Sequence, residues 1–283
     1  MKALEPEYRI GDLCAAFAVS RSGYHRWRTA QASARAREDA LLGEQLRRLH
    51  VQSRGTYGRP RLWAALRQQG QHHSPKRIAR LMRALGLRGV RRGRFRPQTT
   101  QSNHEPQRVP NRLLQAPPPS KPNQVWVADI TFVPTAEGWL YVAGVLDRYS
   151  RQLLGLAFGM RMDSELPEAA LRQALARRGG QVPIGLIHHS DQGSQYASAP
   201  YQKRLDAAGI RASMSRRGNC YDNAHMESFW ATLKTEALGG RTPATRAQAQ
   251  LALFEYVETF YNRVRLHSAL GFHSPVDFEQ LNH

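Results

Sequence analysis

Apolar residues recur at helical spacing in the N-terminal part of the chain, in runs separated by polar turns. The first run covers residues 8–28, where a turn at Ser20 divides two short helices, and the second predicts a linking helix over 38–51. Two short helices joined by a tight turn are typical of a helix-turn-helix. We therefore predict an all-α DNA-binding segment at the N-terminus.

A second helix pair follows, and the residues that mark where its helices begin and end are clearer. The pattern predicts helices over 59–70 and 74–86, and the later helix has Ser74 as N-cap, Pro75 in its first turn and Gly86 as its stop. One face of this helix is apolar and the other is basic, a pattern typical of a helix that enters the major groove. The basic face carries Lys76, Arg77, Arg80 and Arg83. The alternative is a basic three-helix bundle without sequence preference.

From residue 124 the pattern changes to strands. Three runs rich in β-branched and aromatic residues, at 124–134, 139–150 and 151–160, predict an antiparallel meander. Helices and short strands then alternate. The predicted helices are 164–178, 198–210, 223–238 and 246–262, and the predicted strands are 182–191 and 211–215. This order is that of a ribonuclease-H-like α/β fold, a mixed five-stranded sheet with flanking helices.

Charge divides the chain in the same way. Residues 1–120 hold 24 Lys and Arg against 7 Asp and Glu, a net charge of +17, whereas the other 163 residues hold 17 against 15. Such an excess of arginine indicates a polyanionic partner, namely DNA. Part of the excess lies in residues 88–120, where an Arg run containing Arg91 and Arg92 is followed by a Pro-rich stretch. The predicted organisation is two helix-turn-helix segments, 1–52 and 53–92, a basic linker, 93–120, and a core, 121–283.

Composition narrows the function classes further. Two cysteines, Cys14 and Cys220, are too few for a disulfide framework or a Cys-rich zinc site, and they fit a reducing compartment. We find no apolar run of membrane-spanning length and no secretory signal. We therefore expect no membrane partner and a cytoplasmic protein associated with the bacterial nucleoid.

Three acids occupy unusual positions. Asp129 lies inside an apolar strand, Asp191 follows a strand directly, and Glu227 lies one turn into a helix. A buried charge needs a partner or a metal, and acids at strand ends of an open α/β sheet face the ligand crevice. Each acid alone has a structural explanation, as a cap, a turn former or a helix-surface acid. No Ser/His/Asp or Cys/His pair is placed for covalent catalysis.

Spacing and local sequence together resemble a known family. The acids are 62 and 36 residues apart, so that 35 residues separate Asp191 from Glu227. Around them stand WVADITFV, VLDRYSR, HHSDQGSQYAS and GNCYDNAHMESFWATLKTE, followed by YNRVRLHSALGFHSPVDFE. These motifs resemble the DDE transposase and retroviral integrase superfamily, and in particular the second-frame product, OrfB, of the third insertion-sequence family. The resemblance covers essentially the whole chain.

The resemblance implies an integrase catalytic core that cuts and joins DNA. Asp129 would bridge two Mg²⁺ or Mn²⁺ ions, and Asp191 and Glu227 would each complete one. Water would nick double-stranded DNA at the terminal inverted repeats, and the freed 3′-OH would attack target DNA. Paired ends imply a homo-oligomer, at least a dimer, and the first-frame product is a candidate fusion or partner. We expect no zinc, because the His2Cys2 domain of retroviral integrases has no counterpart here.

Several residues near the acids are candidate DNA contacts. Lys234 shares the helix face of Glu227 two turns later, and its alternative is a surface lysine. Asn223 and His225 are expected to position DNA or neighbouring groups of the site. Arg216 and Arg217, just before the helix, either contact DNA or form a solvated loop. Aromatic residues of this helix, among them Trp230, are interpreted as core.

Two rival functions use parts of the same pattern. A nuclease of the same fold would carry the same acids and would hydrolyse DNA without joining it, but two DNA-reading segments would be unexpected. A non-enzymatic DNA-binding regulator would need neither the acids nor their spacing. We therefore favour a DNA transposase that performs metal-dependent end cleavage and strand transfer.

Overall fold

The computed structural model describes residues 1–31, 33–90, 109–114, 116–215 and 223–282. It divides into two compact units, Met1–Arg48 and Leu49–His283. The second helix pair, predicted as a separate segment over 53–92, therefore lies in one unit with the core. Among the described residues, none of the helices has both the length and the apolar character that crossing a bilayer would require.

The first unit contains the two short helices expected near the N-terminus. They are α1, Ile10–Ala16, and α2, Arg21–Thr29. The Ser20 hydroxyl accepts a hydrogen bond from the Gly23 N–H at 3.0 Å, so that Ser20 caps α2. The Tyr24 hydroxyl, on the buried face of α2, donates to the carboxylate of Glu5. This bond and the buried side chains Leu13 and Cys14 hold the small unit together.

The linking helix is α3, Ala34–Gln52. The second helix pair follows it as α4, Arg59–Gln68, and α5, Pro75–Ala84, and α5 has the apolar and basic faces that the sequence predicts. The Ser74 hydroxyl caps α5 by accepting from the Arg77 N–H at 3.2 Å. Leu62 and Ile78 are fully buried between the pair, whereas the basic face of α5 lies toward solvent. Amphipathic burial thus explains why this pair folds.

A mixed five-stranded sheet forms the centre of the second unit. Its strands are β1, Val125–Thr135, β2, Gly138–Asp147, β3, Leu153–Gly159, β4, Ile187–Ser190, and β5, Arg211–Met214. The order is β3-β2-β1-β4-β5, with β1, β2 and β3 antiparallel and β4 and β5 parallel to β1. The predicted topology is confirmed.

Six helices of the second unit flank this sheet or follow it. They are α6, Glu165–Arg177, α7, Ser194–Ala197, α8, Ala199–Ala207, α9, Ala224–Leu238, α10, Arg246–Glu255, and α11, Pro275–Leu281. α6 approaches β3 closely because Gly155 lacks a side chain: a Cβ there would lie 2.0 Å from the carbonyl oxygen of Ala170. Any larger residue at position 155 would therefore push the helix away.

The structure departs from the prediction most clearly in one strand, in one helix and in one short helix that was not predicted. The strand expected over 182–191 is only Ile187–Ser190, because Pro183 and Gly185 form a turn before it, closed by the Leu186 N–H to the Pro183 carbonyl at 3.1 Å. The helix expected over 246–262 is α-helical only to Glu255 and continues as a π-helix, Tyr256–Tyr261. The short α7 is absent from the prediction.

The C-terminal segment packs against the second helix pair. The Tyr57 hydroxyl donates to the Val264 carbonyl at 3.0 Å and accepts from the Leu266 N–H at 2.8 Å. The Arg61 Nε donates to the Leu266 carbonyl at 2.8 Å, and the Gln68 amide donates to the Phe272 carbonyl at 2.8 Å. These bonds satisfy backbone groups of the C-terminal segment, residues 262–274, whose regular structure is a short 3-10 helix, Ser268–Leu270, and a bridge between His267 and His273. They join the helix pair to the core.

One buried ion pair fixes the end of α9. The Arg265 guanidinium donates two hydrogen bonds to the Glu236 carboxylate, at 2.6 Å and 2.8 Å, and the Tyr256 hydroxyl donates a third at 2.7 Å. Burial alone would raise the pKa of Glu236, but the bonds from Arg265 outweigh it and the pKa is lowered. Bidentate pairing of this kind makes a buried charge tolerable.

Breaking this pair should destabilise the second unit. We expect Glu236→Gln to lower the free energy of unfolding by about 3–5 kcal/mol at neutral pH, because Arg265 is left charged and buried. Since folding lowers the pKa of Glu236, its contribution is present above the unfolded pKa of about 4.3 and is lost as pH falls through the folded value. Denaturant unfolding at several pH values measures both effects.

Glu255 supplies the matched control. Its salt bridge with Arg54, at 3.0 Å, is solvent-exposed. Glu255→Gln should therefore change the free energy of unfolding by less than about 1 kcal/mol. Equal losses in the two variants would contradict a special role for the buried pair.

Candidate active site

Asp129 is the centre of the site and lies in the middle of β1. It pairs across the sheet with Gly144 of β2. The indole Nε1 of Trp230, from α9, donates to its carboxylate Oδ2 at 3.0 Å. A Cβ at position 144 would lie 2.8 Å from the Trp230 ring, so only glycine lets the indole reach this carboxylate without displacement.

Asp191 stands beside Asp129 because of the parallel pairing of β1 with β4. The register places Val127 opposite His189, and each aspartate follows two residues later along its strand direction. Side chains two residues apart point to the same side of a strand. Asp191 itself is exposed, and its carboxylate Oδ1 accepts from the Gly193 N–H at 3.1 Å. The carboxylates are therefore neighbours at the same edge.

The electrostatics of the site couple the three acids. Burial raises the pKa of Asp129, the negative charge of Asp191 raises it further, and that of Glu227 adds a smaller increase. Hydrogen bonds from the Ile130 backbone and from Trp230 oppose this rise. Surrounding protein atoms reduce the hydration of the Asp191 and Glu227 carboxylates, although Asp191 is exposed at its edge, and this partial desolvation raises the pKa of both. Carboxylates that disfavour one another's ionisation in this way are stabilised by a cation.

The carboxylate oxygens of these acids are suitable ligands for a divalent metal ion. Paired carboxylate oxygens are the ligands that Mg²⁺ and Mn²⁺ prefer. Glu227, in the first turn of α9 and half-buried, contributes charge to the same site. Within the described ranges, however, no three His, Cys, Asp or Glu side chains form a ready metal-binding group. The structure thus brings Asp129 and Asp191 together and leaves Glu227 less closely associated.

Lys234 lies two turns after Glu227 and is half-buried. Its ammonium stands 5.3 Å from the centroid of the Phe132 ring. Burial lowers the pKa of Lys234, and the negative charge of Asp129 acts in the opposite direction. The lysine is therefore near enough to the acids to interact with Asp129, as its shared helix face with Glu227 predicts.

The structure gives Asn223 and His225 roles other than surface contacts. Asn223 is buried, and its amide donates to the Ala128 carbonyl at 3.1 Å, which ties the start of α9 to β1 beside Asp129. His225 points away from the acids: burial and then the charges of Arg151 and Arg148 lower its pKa to about 3. For Asn223 the geometry favours the alternative of positioning the site.

The remaining candidates fall into two groups. Arg91, Arg92, Arg216 and Arg217 lie outside the described residues. The second group lies on α5, where Lys76, Arg80 and Arg83 are exposed and Arg77 is half-buried. This group forms one basic stripe on the helix face opposite Ile78 and Leu81.

Two residues that position the Asp129 carboxylate, Trp230 and Gly144, do not follow from the sequence pattern. Trp230 is predicted only to pack, and the pattern assigns no role to Gly144. Asp147 is a third residue with an unpredicted role, and it acts at the end of β2, apart from the acids. Asp147 is fully buried at the end of β2, where its carboxylate accepts from the backbone N–H groups of Asn123, Tyr149 and Ser150, at 2.7, 2.8 and 3.1 Å. An aspartate followed closely by polar residues after a strand is an Asx-turn signal, and it marked this position in VLDRYSR.

Comparison with known proteins agrees with this geometry. The integrase core domain family matches residues 119–220, a second integrase core domain family matches 208–275, and an HTH-like domain family matches 36–95. The chain is 46% identical over 271 residues to the insertion element IS600 uncharacterized 31 kDa protein of Shigella sonnei, covering 96% of this chain and 98% of that protein. It is 38% identical to the transposase InsF for insertion sequence IS3A of Escherichia coli, covering 98% and 96%.

Among solved structures, the magnesium-bound catalytic core domain of HTLV-2 integrase aligns with a TM-score of 0.44 at 16% identity. It covers 56% of this chain and 97% of that one. The matched families define this protein as a DDE-type polynucleotidyl transferase with an integrase catalytic core and an HTH-like region. The chain belongs to the IS3 family of insertion-sequence transposases, and it is a DNA transposase.

The Trp230 bond to Asp129 generates a prediction. Trp230→Phe keeps the ring but removes the N–H donor, so we expect the Mg²⁺ concentration for half-maximal DNA cleavage to rise about 10–100-fold. Trp63→Phe is the matched control, because its indole donates to a carbonyl, that of His73 at 3.1 Å, away from the acids. If both variants lost activity equally at every Mg²⁺ concentration, the positioning role would be refuted.

Proposed function

We propose that Asp129, Asp191 and Glu227 together bind two Mg²⁺ or Mn²⁺ ions and that this site cuts and joins DNA. The observation that carries the proposal is the register of β1 with β4, which sets Asp129 beside Asp191. The Trp230 bond adds α9, and with it Glu227, to the same place. Asp129 is central to this arrangement, so it is the residue that would bridge the ions.

In this site the protein side chains would hold the ions and the DNA in place, and the ions would polarise the reacting phosphodiester. Bound divalent ions would lower the pKa of the attacking hydroxyl or water and neutralise charge on the leaving oxygen. Trp230 holds one oxygen of the Asp129 carboxylate, and Asn223 holds the start of α9 on β1. Lys234 supplies a positive charge next to Asp129, where it would bind a phosphate oxygen near the scissile bond.

Two reactions use this geometry in turn. In the first, a water oxygen bonds to phosphorus at the end of the element, the bond from phosphorus to the 3′ oxygen breaks, and that oxygen leaves as a 3′-OH. In the second, this 3′-OH bonds to a phosphorus of the target DNA and displaces a target 3′-OH. The first step converts one phosphodiester into a 5′-phosphate monoester and a 3′-OH, and the second exchanges one phosphodiester for another. In each step the attacking oxygen loses a proton and the leaving 3′ oxygen gains one, and neither step needs a covalent enzyme intermediate.

The substrates of this proposal are the terminal inverted repeats and target DNA. The basic stripe of α5 and the +17 net charge of residues 1–120 favour double-stranded DNA over a small substrate. Bringing two ends together requires a homo-oligomer of at least two copies. The first-frame product is the further partner we propose, as a fusion or as a separate chain.

Asp191→Asn tests the metal site. The substitution keeps the side-chain volume and removes one ionic ligand, so we expect Mg²⁺-dependent cleavage of a duplex carrying the element's end to fall at least about 100-fold. Asp129→Asn and Glu227→Gln should do the same. Asp206→Asn, at an exposed position of α8, is the matched control and should cleave normally. Cleavage that survives Asp191→Asn would overturn the assignment.

A pre-nicked end separates a transposase from a nuclease within the same assay. The wild-type protein should join the exposed 3′-OH to target DNA, and the joined product is visible as a longer strand. A site that only hydrolysed DNA would yield shortened strands and no joined product. Chelation of the divalent ion should abolish both products.

Arg83→Gln tests the basic stripe of α5. Removing one phosphate contact should weaken duplex binding and lower the slope of log affinity against log salt by about one unit. Fluorescence anisotropy over a range of salt concentrations measures this slope. Arg172→Gln, an equally exposed arginine on α6, should leave it unchanged. Identical slopes for Arg83→Gln and the wild-type protein would exclude this helix from the interface.

A further inference from the structure

A small cavity lies on the side of α9 that faces away from the acids. Its volume is about 210 Å³, and α9 contributes His225, Phe229 and Thr232 to its lining. On a helix these positions lie about half a turn round from Glu227 and Lys234. The cavity is therefore a separate feature on the opposite face of the catalytic helix.

Three further parts of the fold meet at this cavity, and each contributes a basic side chain. Arg61 comes from α4, Arg151 from the turn between β2 and β3, and His267 from the C-terminal segment. Arg265 also lines it, but its charge is paired with Glu236. Arg61 and Arg151 form no salt bridge with any acid among the described residues. Positive charge in this lining therefore exceeds negative charge.

One ring nitrogen in the cavity also lacks a partner. The Nε2 atom of His267 is buried and makes no hydrogen bond to any described residue. Burial and then the charges of Arg265, Arg61 and Arg151 lower the pKa of this imidazole, so it is neutral, and its bond to the Tyr261 backbone uses the ring nitrogen that carries the proton. Nε2 is therefore an acceptor, and the donors that an anion would meet are the guanidinium groups. Burial and the charge of Arg265 lower the pKa of Arg61 as well, as expected of a cation in a positive field that an anion would neutralise.

Size restricts which anion fits. Sites for drug-sized ligands usually measure about 300–1,000 Å³, so a cavity of about 210 Å³ suits a single small oxyanion better than a nucleotide. Guanidinium groups present planar pairs of N–H donors that match phosphate oxygens. Arg61 and Arg151 offer such donors from two parts of the fold.

We propose that this cavity binds one phosphate group, supplied by the backbone of the bound DNA end. The proposal rests on the proposed DNA substrate, and it adds a phosphate site that the acids do not use. Because Arg61 belongs to the helix pair and His225 to α9, one bound phosphate would contact both. DNA held by the helix pair would in this way be registered against the catalytic helix.

Arg151→Gln tests the proposal in the full-length protein with duplex DNA carrying the element's end. We expect affinity at 0.15 M salt to fall about tenfold and the salt slope to fall by about one unit, because one charged contact is lost. Arg151→Lys keeps the charge and should retain most of the slope. Arg172→Gln is the matched control and should bind like the wild-type protein. Circular dichroism and thermal unfolding verify that each variant folds.

Inorganic phosphate, titrated by calorimetry, separates the two sources of the group. If the wild-type protein binds inorganic phosphate weakly and Arg151→Gln lowers the slope of log DNA affinity against log salt, the result supports a phosphate of the DNA backbone. If Arg151→Gln abolishes phosphate binding but leaves the salt slope of DNA binding unchanged, the cavity is a phosphate site, but DNA does not supply the phosphate. Wild-type DNA binding by Arg151→Gln together with no phosphate binding overturns the proposal entirely. If Arg151→Gln does not fold, Arg61→Gln is read by the same criteria, because Arg61 is the other charged donor of the cavity.

The cleavage assay keeps this result apart from the proposed function. If Asp191→Asn loses cleavage while Arg151→Gln binds DNA normally and phosphate does not bind, the metal site stands and the phosphate site fails. If Asp191→Asn cleaves normally but Arg151→Gln binds DNA weakly, the phosphate site stands and the metal site fails.

Discussion

The hydrogen bond from Trp230 to Asp129 is the contact on which the rest of the site depends. An aspartate in the middle of a strand pays a desolvation cost, and here a second carboxylate beside it adds repulsion. The indole N–H offsets part of this cost and fixes one carboxylate oxygen. It reaches Asp129 only because Gly144, the cross-strand partner, has no side chain to keep α9 away. Strand pairing, helix position and carboxylate orientation are thus set by one local arrangement.

α9 is held at three levels along its length. Asn223 bonds its start to β1, Trp230 bonds its middle to Asp129, and Glu236 bonds its end to Arg265 of the C-terminal segment. That segment in turn receives hydrogen bonds from α4, so the helix carrying Glu227 is linked to the sheet and to the helix pair. A continuous set of hydrogen bonds therefore connects the DNA-binding helices with the acids.

The antiparallel meander and the alternation of helices and strands after it were predictable from sequence, because each strand is an apolar run bounded by a turn. The proximity of Asp129 and Asp191 was implied only by the family resemblance, and the 62-residue offset of the β1–β4 register accounts for it.

Other features depend on tertiary contacts. The direction of the Trp230 indole follows from how α9 crosses β2, and no periodicity encodes it. His225 lies near Glu227 in sequence, but the helical rotation places it on the opposite face. Pro183 and Gly185 form the turn that shortens β4, although the apolar residues around them favour a longer strand.

The two sides of α9 meet different charges, and neighbouring elements supply most of the positive charge. Lys234 lies on the side of Asp129, whereas the far side faces Arg61, Arg151 and the paired Arg265. In the proposed function the acids would attract divalent cations, and the same negative charge would repel the phosphates that must approach those cations. A phosphate held in the cavity would lie across a helix that is about 10 Å wide with its side chains. Coulombic attraction falls with distance, so the arginines would bind phosphate without pairing with the acids, and α9 would position the metal-binding acid and one DNA contact together.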